Sequence, residues 1–135
     1  IGLAAALKDA QENMQQNTAY ITGLRDALRN GLDKIDGAGF NGSREHCLPG
    51  TVNYSFLGVN GETLLSLLSN EGICCSSGSA CSAGSLEPSH VLLALGLSHE
   101  TAQSALRFSL CEYNTIDEVQ TIITKVTEAV NRLRR

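Results

Sequence analysis

A single cysteine lies at the centre of a run of small residues. Cys81 is flanked on both sides by serine, glycine and alanine within residues 76–85. Because these side chains bury little apolar area, they offset little of the entropy of ordering the loop, and we expect the loop to be mobile. The thiol is the only strongly reactive group in it. The sequence therefore indicates either a thiol that moves between two places or a surface loop that happens to contain a cysteine.

Cys81 would need activation to act as a nucleophile. At an ordinary pKa of ~8.5, only a small part of a thiol is ionised at neutral pH. His90 is close in sequence and is a candidate base, but a histidine on an amphipathic helix is more often a surface or packing residue. The base is therefore also expected to lie outside this chain, and the three histidines of the sequence predict no catalytic triad.

A zinc site is a competing use of the cysteines. Cys74, Cys75 and Cys81, together with Cys47 or His46, could supply four ligands. The short-spaced ligand pairs typical of zinc sites are missing, however, and adjacent cysteines are awkward chelators. Cys74 and Cys75 are more simply interpreted as small buried residues on a strand. We therefore predict no metal site.

Arg107 is the second residue that could do chemistry. A cation in the middle of a short apolar strand is uncommon unless it is paired. Its planar guanidinium matches a carboxylate in a bidentate geometry. Two interpretations of Arg107 remain open at this point. It binds the carboxylate of a substrate, or it forms a structural ion pair with a glutamate of the chain.

Hydrophobic spacing predicts the long elements that position these residues. Apolar residues recur every three or four positions from residue 3 to about residue 35, which predicts a helix of ~45 Å. This is longer than a domain of this size needs, so we expect part of it to pack against something outside the chain. Alternation predicts two strands with one buried side each, over residues 51–56 and over residues 106–110, where Arg107 faces away from the apolar side. Short strands are predicted near Phe40 and over residues 73–75.

The shorter helices complete an α+β fold. One is predicted for residues 62–70, and a second has Pro88 in its first turn and an apolar side of Val91, Leu92, Ala94 and Leu95. A third runs from an N-cap at Ser98 to Ala105, and the last covers residues 116–133 after a capping box at Thr115. The elements together predict a small mixed or antiparallel sheet with helices laid mainly on one face.

Composition excludes several classes of function. The chain has 135 residues, 42% of them hydrophobic, which is enough for one globular domain. A net charge of -4 and few aromatic residues argue against nucleic-acid or membrane partners. No apolar run approaches the ~20 residues of a membrane span, so a soluble protein is expected. Five cysteines without a C-x-x-C pair indicate reduced thiols in the cytoplasm.

The stretch from Ser76 to Leu92 closely resembles the active-site loop of the NifS/IscS-like cysteine desulfurases, pyridoxal-phosphate enzymes of the class V aminotransferase group. The similarity extends to residues 106–109, to residues 48–53 and to Gly61-Glu62, and it covers essentially the whole chain. Cys111 departs from the family, which is expected to have glycine or another residue there. That departure concerns the end of a strand and neither of the two candidate residues.

This resemblance implies roles for both candidates. Cys81 would attack the sulfur of an L-cysteine bound to pyridoxal phosphate, release alanine and keep the sulfur as a persulfide. Arg107 would hold the substrate carboxylate. The loop would then carry the sulfur to an acceptor such as an iron-sulfur scaffold protein, and the complete enzyme would be a homodimer.

The resemblance also implies that much of the enzyme lies outside this chain. Residues 1–35 would link to a missing large domain, and residues 36–135 would form the small α+β domain of a fold-type I enzyme. The cofactor lysine would lie in the large domain, since none of Lys8, Lys34 and Lys125 resembles it. The chain opens within a predicted helix at Ile1, which also suggests a fragment. By itself it is expected to be inactive and to bind no pyridoxal phosphate.

Two other functions remain open. A selenocysteine lyase or another class V pyridoxal-phosphate enzyme would share the fold and differ in substrate. A non-catalytic thiol or zinc-binding module would use the same cysteines to interact with partners.

Overall fold

The structure, a computed structural model, describes residues 1–77 and 88–135, which form helices around an antiparallel sheet. The elements are α1 (Gly2–Leu32), β1 (Ala38–Phe40), β2 (Thr51–Phe56), α2 (Gly61–Asn70), α3 (His90–Ala94), α4 (His99–Gln103), β3 (Ala105–Ser109) and α5 (Ile116–Leu133). The described strands lie in the order β1-β2-β3 and both pairs are antiparallel. The predicted α+β class is confirmed.

The sheet has one face in the core. On β2, Val52, Tyr54 and Phe56 are fully buried, and in the β2–β3 register Val52 lies opposite Phe108. The other face is more polar but is not uniformly open, because Ser55 is also buried. The prediction of a single buried side for β2 is therefore wrong at Ser55, which lies on the other side and is buried.

Three helices cover the core face. Their buried side chains belong to the same cluster as those of the sheet and comprise Leu24, Leu28 and Leu32 of α1, Leu64 and Leu68 of α2, and Val119, Val126 and Val130 of α5. The capping box at Thr115 is present, with Thr115 accepting from the Glu118 backbone and Glu118 from that of Thr115. A smaller cluster joins Leu92, Ala102 and Ala105.

The first half of α1 is exposed to solvent along almost its whole length. Residues 1–20 are exposed except for the half-buried Asn17, and Leu3, Leu7 and Met14 are among the exposed apolar residues. Packing of this half against something outside the chain stays a prediction. Among the described residues, no helix combines the length and apolar character needed to cross a membrane.

The predicted strand over residues 73–75 is wrong. The backbone there ends α2 instead, since Ile73 N donates to Leu68 O at 2.9 Å and Gly72 N to Ser69 O at 3.0 Å, with Gly72 at φ +79°. In the described part of this segment, up to Ser77, Ser76 is the one residue that pairs with the sheet. The predicted burial is wrong as well, because Cys74 is exposed and Cys75 is half-buried.

The predictions around α3 and α4 need smaller corrections. Leu92 is buried, but Val91 and Leu95 are more than half exposed and Ala94 is exposed too, because Leu93 and Leu97 supply the contacts beside Leu92. Pro88 precedes α3 and does not lie in its first turn. Ser98 is the N-cap as predicted, accepting from Thr101 N at 3.1 Å. Ala105 belongs to β3 and not to the preceding helix.

Gly31 allows α1 and α5 to approach closely. A Cβ built on Gly31 would lie 2.5 Å from Cγ1 of Ile123, whereas one on Gly23 would meet nothing within 4 Å. We expect Gly31→Ala to lower the free energy of unfolding by about 1–2 kcal/mol, because overpacking outweighs the gain in helix propensity. The same change at Gly23 should raise it by about 0.5–1 kcal/mol. Urea unfolding of both variants measures the two effects.

The two glycines are matched controls, since both lie within one helix. Equal effects of the two alanines on the unfolding midpoint would contradict close packing at Gly31.

Asp33 connects the end of α1 to the sheet through hydrogen bonds. It accepts from Arg44 Nη1 at 2.8 Å and Nη2 at 2.7 Å and from the buried Tyr54 hydroxyl at 2.7 Å. The bonds from Arg44, followed by that from Tyr54, lower the pKa of the Asp33 carboxyl despite its partial burial. The same carboxylate raises the pKa of Tyr54, although burial is the larger cause.

Acid is therefore expected to weaken the fold through Asp33. A carboxyl whose folded pKa is depressed contributes stability above its unfolded pKa of ~3.9 and loses it as the pH falls through the folded value. Urea unfolding between neutral pH and pH ~3 should show this loss. Asp33→Asn should make the free energy of unfolding less dependent on pH over this range. The control is Asp36→Asn, at an exposed position, which should keep the dependence of the wild type. An unchanged acid slope in Asp33→Asn would rule out this role.

Candidate functional site

The predicted nucleophile falls outside the described residues. Cys81 belongs to residues 78–87, and the structure describes the chain on either side of them, at Ser77 and Pro88. The site is therefore built from the elements that hold those two ends and from β3. The role of Cys81 stays a prediction.

The backbone of Ser76 is attached to the backbone of Arg107. Ser76 N donates to Arg107 O at 3.0 Å, and Arg107 N donates to Ser76 O at 2.7 Å. These two bonds form an isolated antiparallel bridge on the free side of β3. The segment that contains Cys81 therefore starts beside Arg107.

A second hydrogen bond holds the same end of the segment. Ser77 Oγ donates to Glu62 Oε1 at 2.5 Å. Glu62 lies in the first turn of α2, where the N-cap Asn60 accepts from Thr63 N at 3.0 Å. The turn is also tightly packed, because a Cβ on Gly61 would lie only 2.6 Å from Gln103 O. Glu62 is thus carried on a rigid support.

The side chain of Arg107 is exposed in the middle of β3. In the parts of the chain that the structure describes, none of the ion pairs includes Arg107. The alternative of a pair with an internal glutamate therefore gains no support from those residues. An exposed guanidinium without a carboxylate partner can bind an incoming carboxylate in a bidentate geometry.

Asn53 shares the sheet face of Arg107. The two residues are register partners on β2 and β3. Asn41 Nδ2 donates to Asn53 Oδ1 at 2.7 Å and to Ser55 Oγ at 2.8 Å, which holds the Asn53 amide in one orientation. With its Oδ1 engaged, Asn53 retains its Nδ2 group as a donor.

Sequence reasoning gave these supporting residues no role. Asn53 and Glu62 both lie in stretches that carry the family resemblance, which was the available signal. Their relation to Arg107 and Ser77 depends on strand register and helix packing, however, and spacing along the chain does not reveal either.

His90 is exposed as the first residue of α3. It follows the described end of the segment at Pro88, and its distance from the Cys81 thiol lies outside what is described. His90 therefore stays a candidate for the base, beside a base outside this chain.

The other cysteines do not assemble a metal site among the described residues. Cys47 Sγ lies 3.4 Å from Arg25 Nη1. This neighbour is a cation, whereas a metal site would need a second ligand atom near Cys47. Cys74 and Cys111 are exposed and line a cavity of about 640 Å³. No group of three or more histidine, cysteine, aspartate or glutamate residues in these parts of the chain is placed to hold a metal ion.

Burial raises the pKa of the Cys75 thiol to about 11, with a further contribution from Cys74.

The lysines of the chain do not fit a covalent bond to pyridoxal phosphate. Such a lysine must lose its proton readily, which requires a lowered pKa in a shielded site. Lys8 is exposed and pairs with Glu12 at 3.8 Å, and Lys34 is exposed near the end of α1. The hydrogen bond and charge of Glu71 raise the pKa of Lys125 instead.

Comparison with known families gives a match over most of the chain. Residues 1–122 match the family described as Aminotransferase class-V.

Curated relatives are similar over nearly the whole chain. It is 46% identical over 134 residues to cysteine desulfurase IscS of Mannheimia succiniciproducens, and 42% identical over 134 residues to cysteine desulfurase IscS of Shewanella frigidimarina. Each match covers 99% of this chain and 33% of the relative. The chain therefore spans about a third of the length of the curated relatives it matches.

Solved structures show the same fold. A NifS-like protein superposes with a TM-score of 0.84 at 35% identity, covering 97% of this chain and 32% of the other. A NifS-like protein from Rickettsia africae superposes with a TM-score of 0.81 at 28% identity, covering 96% of this chain and 33% of the other.

Proposed function

Because this chain belongs to the aminotransferase class-V family, we propose that it is part of a cysteine desulfurase, which converts L-cysteine to L-alanine and retains the sulfur. The names of the curated relatives and identities of 40–46% support the activity. The observation that carries the proposal is the pair of backbone bonds between Ser76 and Arg107, because it joins the cysteine-bearing segment to a carboxylate-binding cation.

Cys81 is the sulfur acceptor in this proposal. Its thiolate attacks the sulfur atom of the substrate, so that a sulfur–sulfur bond forms while the substrate's carbon–sulfur bond breaks. The electron pair of the broken bond stays on the substrate carbon, which takes up a proton and leaves as part of L-alanine. Both sulfur atoms are oxidised and the carbon is reduced, so no external oxidant is needed. A persulfide remains on Cys81.

Arg107 orients the substrate for that attack. Its exposed guanidinium binds the α-carboxylate of L-cysteine through two parallel hydrogen bonds. Asn53, its partner across the strands, is held by Asn41 and offers a further donor on the same face. The lack of an ion pair with Arg107 among the described residues supports this role.

The cofactor is held outside this chain in our proposal. The family implies pyridoxal phosphate, and none of the three lysines fits its covalent attachment. Residues 1–35 then link the small domain, residues 36–135, to a cofactor-binding domain. The exposed first half of α1 supports this arrangement.

We further propose a cytoplasmic homodimer that passes sulfur to an iron-sulfur scaffold or another acceptor protein. The described cysteines are all free thiols, as a reducing compartment requires.

The test is to locate the transferred sulfur. The complete protein that carries these residues is incubated with pyridoxal phosphate and L-cysteine, alkylated and analysed by peptide mass spectrometry. The added sulfur is expected on the peptide of Cys81, together with released L-alanine, and not at the exposed Cys74 or Cys111. Persulfide confined to those other cysteines, or no alanine, would refute the proposal.

The two alternatives predict other results. A selenocysteine lyase would turn over selenocysteine in strong preference to L-cysteine. A thiol or zinc-binding module would contain bound metal in elemental analysis and would release no alanine.

A further inference from the structure

Three guanidinium groups meet at one side of α1. A cavity of about 350 Å³, here called the arginine cavity, is lined by Arg25, Asp26, Arg29, Asn30 and Arg44. It is built on the buried half of α1 and on the loop before β2. None of these residues belongs to the proposed sulfur-transfer site.

The carboxylates of this cluster do not balance its cations. Asp26 pairs with Arg25 at 2.9 Å and with Arg29 at 3.6 Å, and Asp33 pairs with Arg44 at 2.7 Å. Three guanidinium groups thus face two carboxylates, which leaves one positive charge. Asp26 is about half exposed, and it has to serve two cations at once.

Arg29 carries hydrogen-bond donors that the described residues leave unused. The residue is only 9% exposed, yet its sole hydrogen-bond acceptor among them is Arg44 O, 3.3 Å from Nη1. Its guanidinium is stacked on Phe40, 4.9 Å from the ring centroid, so it cannot turn away freely. In the described parts of the chain, no fully enclosed side-chain nitrogen lacks a partner, so the unused Nε and Nη2 groups of Arg29 are accessible from outside the protein. Arg29 is also one of the residues that line the cavity.

Its neighbours have fewer donors to spare. Arg25 uses Nε and Nη2 on Asp26, and its Nη1 lies 3.4 Å from Cys47 Sγ and 3.5 Å from Leu48 O. Arg44 gives both terminal nitrogens to Asp33. A ligand would therefore bind chiefly to Arg29 and would compete with Asp26 for Arg25.

From this geometry we infer that the arginine cavity is a binding site for a small oxyanion of the phosphate type. Guanidinium forks match the paired oxygens of phosphate, and a preformed cluster of them loses little side-chain entropy on binding. A phosphoryl group can arrive as the free ion or as part of a small phosphate ester. Both use the same contacts.

The experiment titrates the complete, cofactor-loaded protein with inorganic phosphate by calorimetry at low ionic strength, and in a second arm with glycerol phosphate. Saturable binding is expected, and Arg29→Gln should weaken it by about tenfold or more, the contribution of charge-assisted hydrogen bonds. Arg132→Gln on α5 removes the same charge outside the cavity and should change the affinity by less than about twofold. If glycerol phosphate binds more tightly than inorganic phosphate, the ligand is a phosphate ester. If the two bind equally, the ligand is the free phosphate ion.

A second variant is chosen to bind phosphate more tightly, because misfolding could explain a loss of affinity but not a gain. Asp26→Asn removes the internal competitor from a half-exposed position and should tighten phosphate binding by about tenfold. Absence of saturable binding, equal affinity in the two arginine variants, or no tightening in Asp26→Asn would each overturn the inference.

Discussion

Serine in place of Cys81 is expected to lower the release of alanine from L-cysteine by at least about 10³-fold in the complete protein. A serine hydroxyl ionises far less readily than a thiol and cannot form a persulfide, so the sulfur has no acceptor. The absorbance of bound pyridoxal phosphate should be retained, since the cofactor is proposed to lie on another part of the protein. Alanine release and the visible spectrum measure the two effects.

Cys111→Ser is the matched control for this substitution. Cys111 is exposed, and its Sγ lies 3.5 Å from Asn114 Oδ1, to which a serine hydroxyl can also donate. Turnover of this variant should equal that of the wild type. Retained turnover in Cys81→Ser would remove Cys81 from the mechanism.

Arg107→Ala is expected to give the second largest effect, a fall of about 10²-fold or more in kcat/KM for L-cysteine. Two charge-assisted hydrogen bonds to the substrate carboxylate would be lost, each with a contribution of about 1.5–3 kcal/mol. Much of the loss should appear as a higher KM. Arg107→Lys should recover only part of it, because an ammonium keeps the charge but not the fork.

Stability distinguishes this role from a structural one. The Arg107 side chain is exposed, and its bridge to Ser76 uses backbone atoms only, so Arg107→Ala should change the free energy of unfolding by less than about 0.5 kcal/mol. Ser109→Ala, at the next exposed position of β3, serves as the control for activity. An unchanged KM in Arg107→Ala would contradict carboxylate binding.

The long elements could be predicted because their signals are local. The helix from Gly2 to Leu32, the strand from Thr51 to Phe56 and the capping box at Thr115 each follow from spacing within a few residues. Burial of Leu106, Phe108 and Leu110 against an exposed Arg107 followed in the same way.

The errors arise where distant contacts decide the structure. The apolar run over residues 73–75 resembles a strand, but its backbone completes the end of α2, and pairing with β3 is made by the next residue, Ser76. Around α3, the side chain that is buried depends on how α4 packs, which no periodicity of a five-residue helix reveals.

The candidate site divides in the same way. Arg107 could be chosen from its strand, because a cation between apolar neighbours is unusual in any fold. The hydrogen bonds of Asn41 to Asn53 and of Ser77 to Glu62 join residues that are distant in sequence, so only the folded chain brings them together.

In the proposed reaction, the attachment of Ser77 to Glu62 limits the volume that the persulfide sulfur of Cys81 can occupy. Four peptide units separate Ser77 from Cys81, and a fully stretched chain advances at most ~3.6 Å per residue, so the Cα of Cys81 stays inside a sphere of roughly 14 Å radius around that of Ser77. A protein that collects the sulfur must then bring its acceptor atom to within about one cysteine side chain of that sphere. Inserting or deleting residues within 78–80 should therefore change which acceptor proteins can take up the sulfur, without changing the substrate.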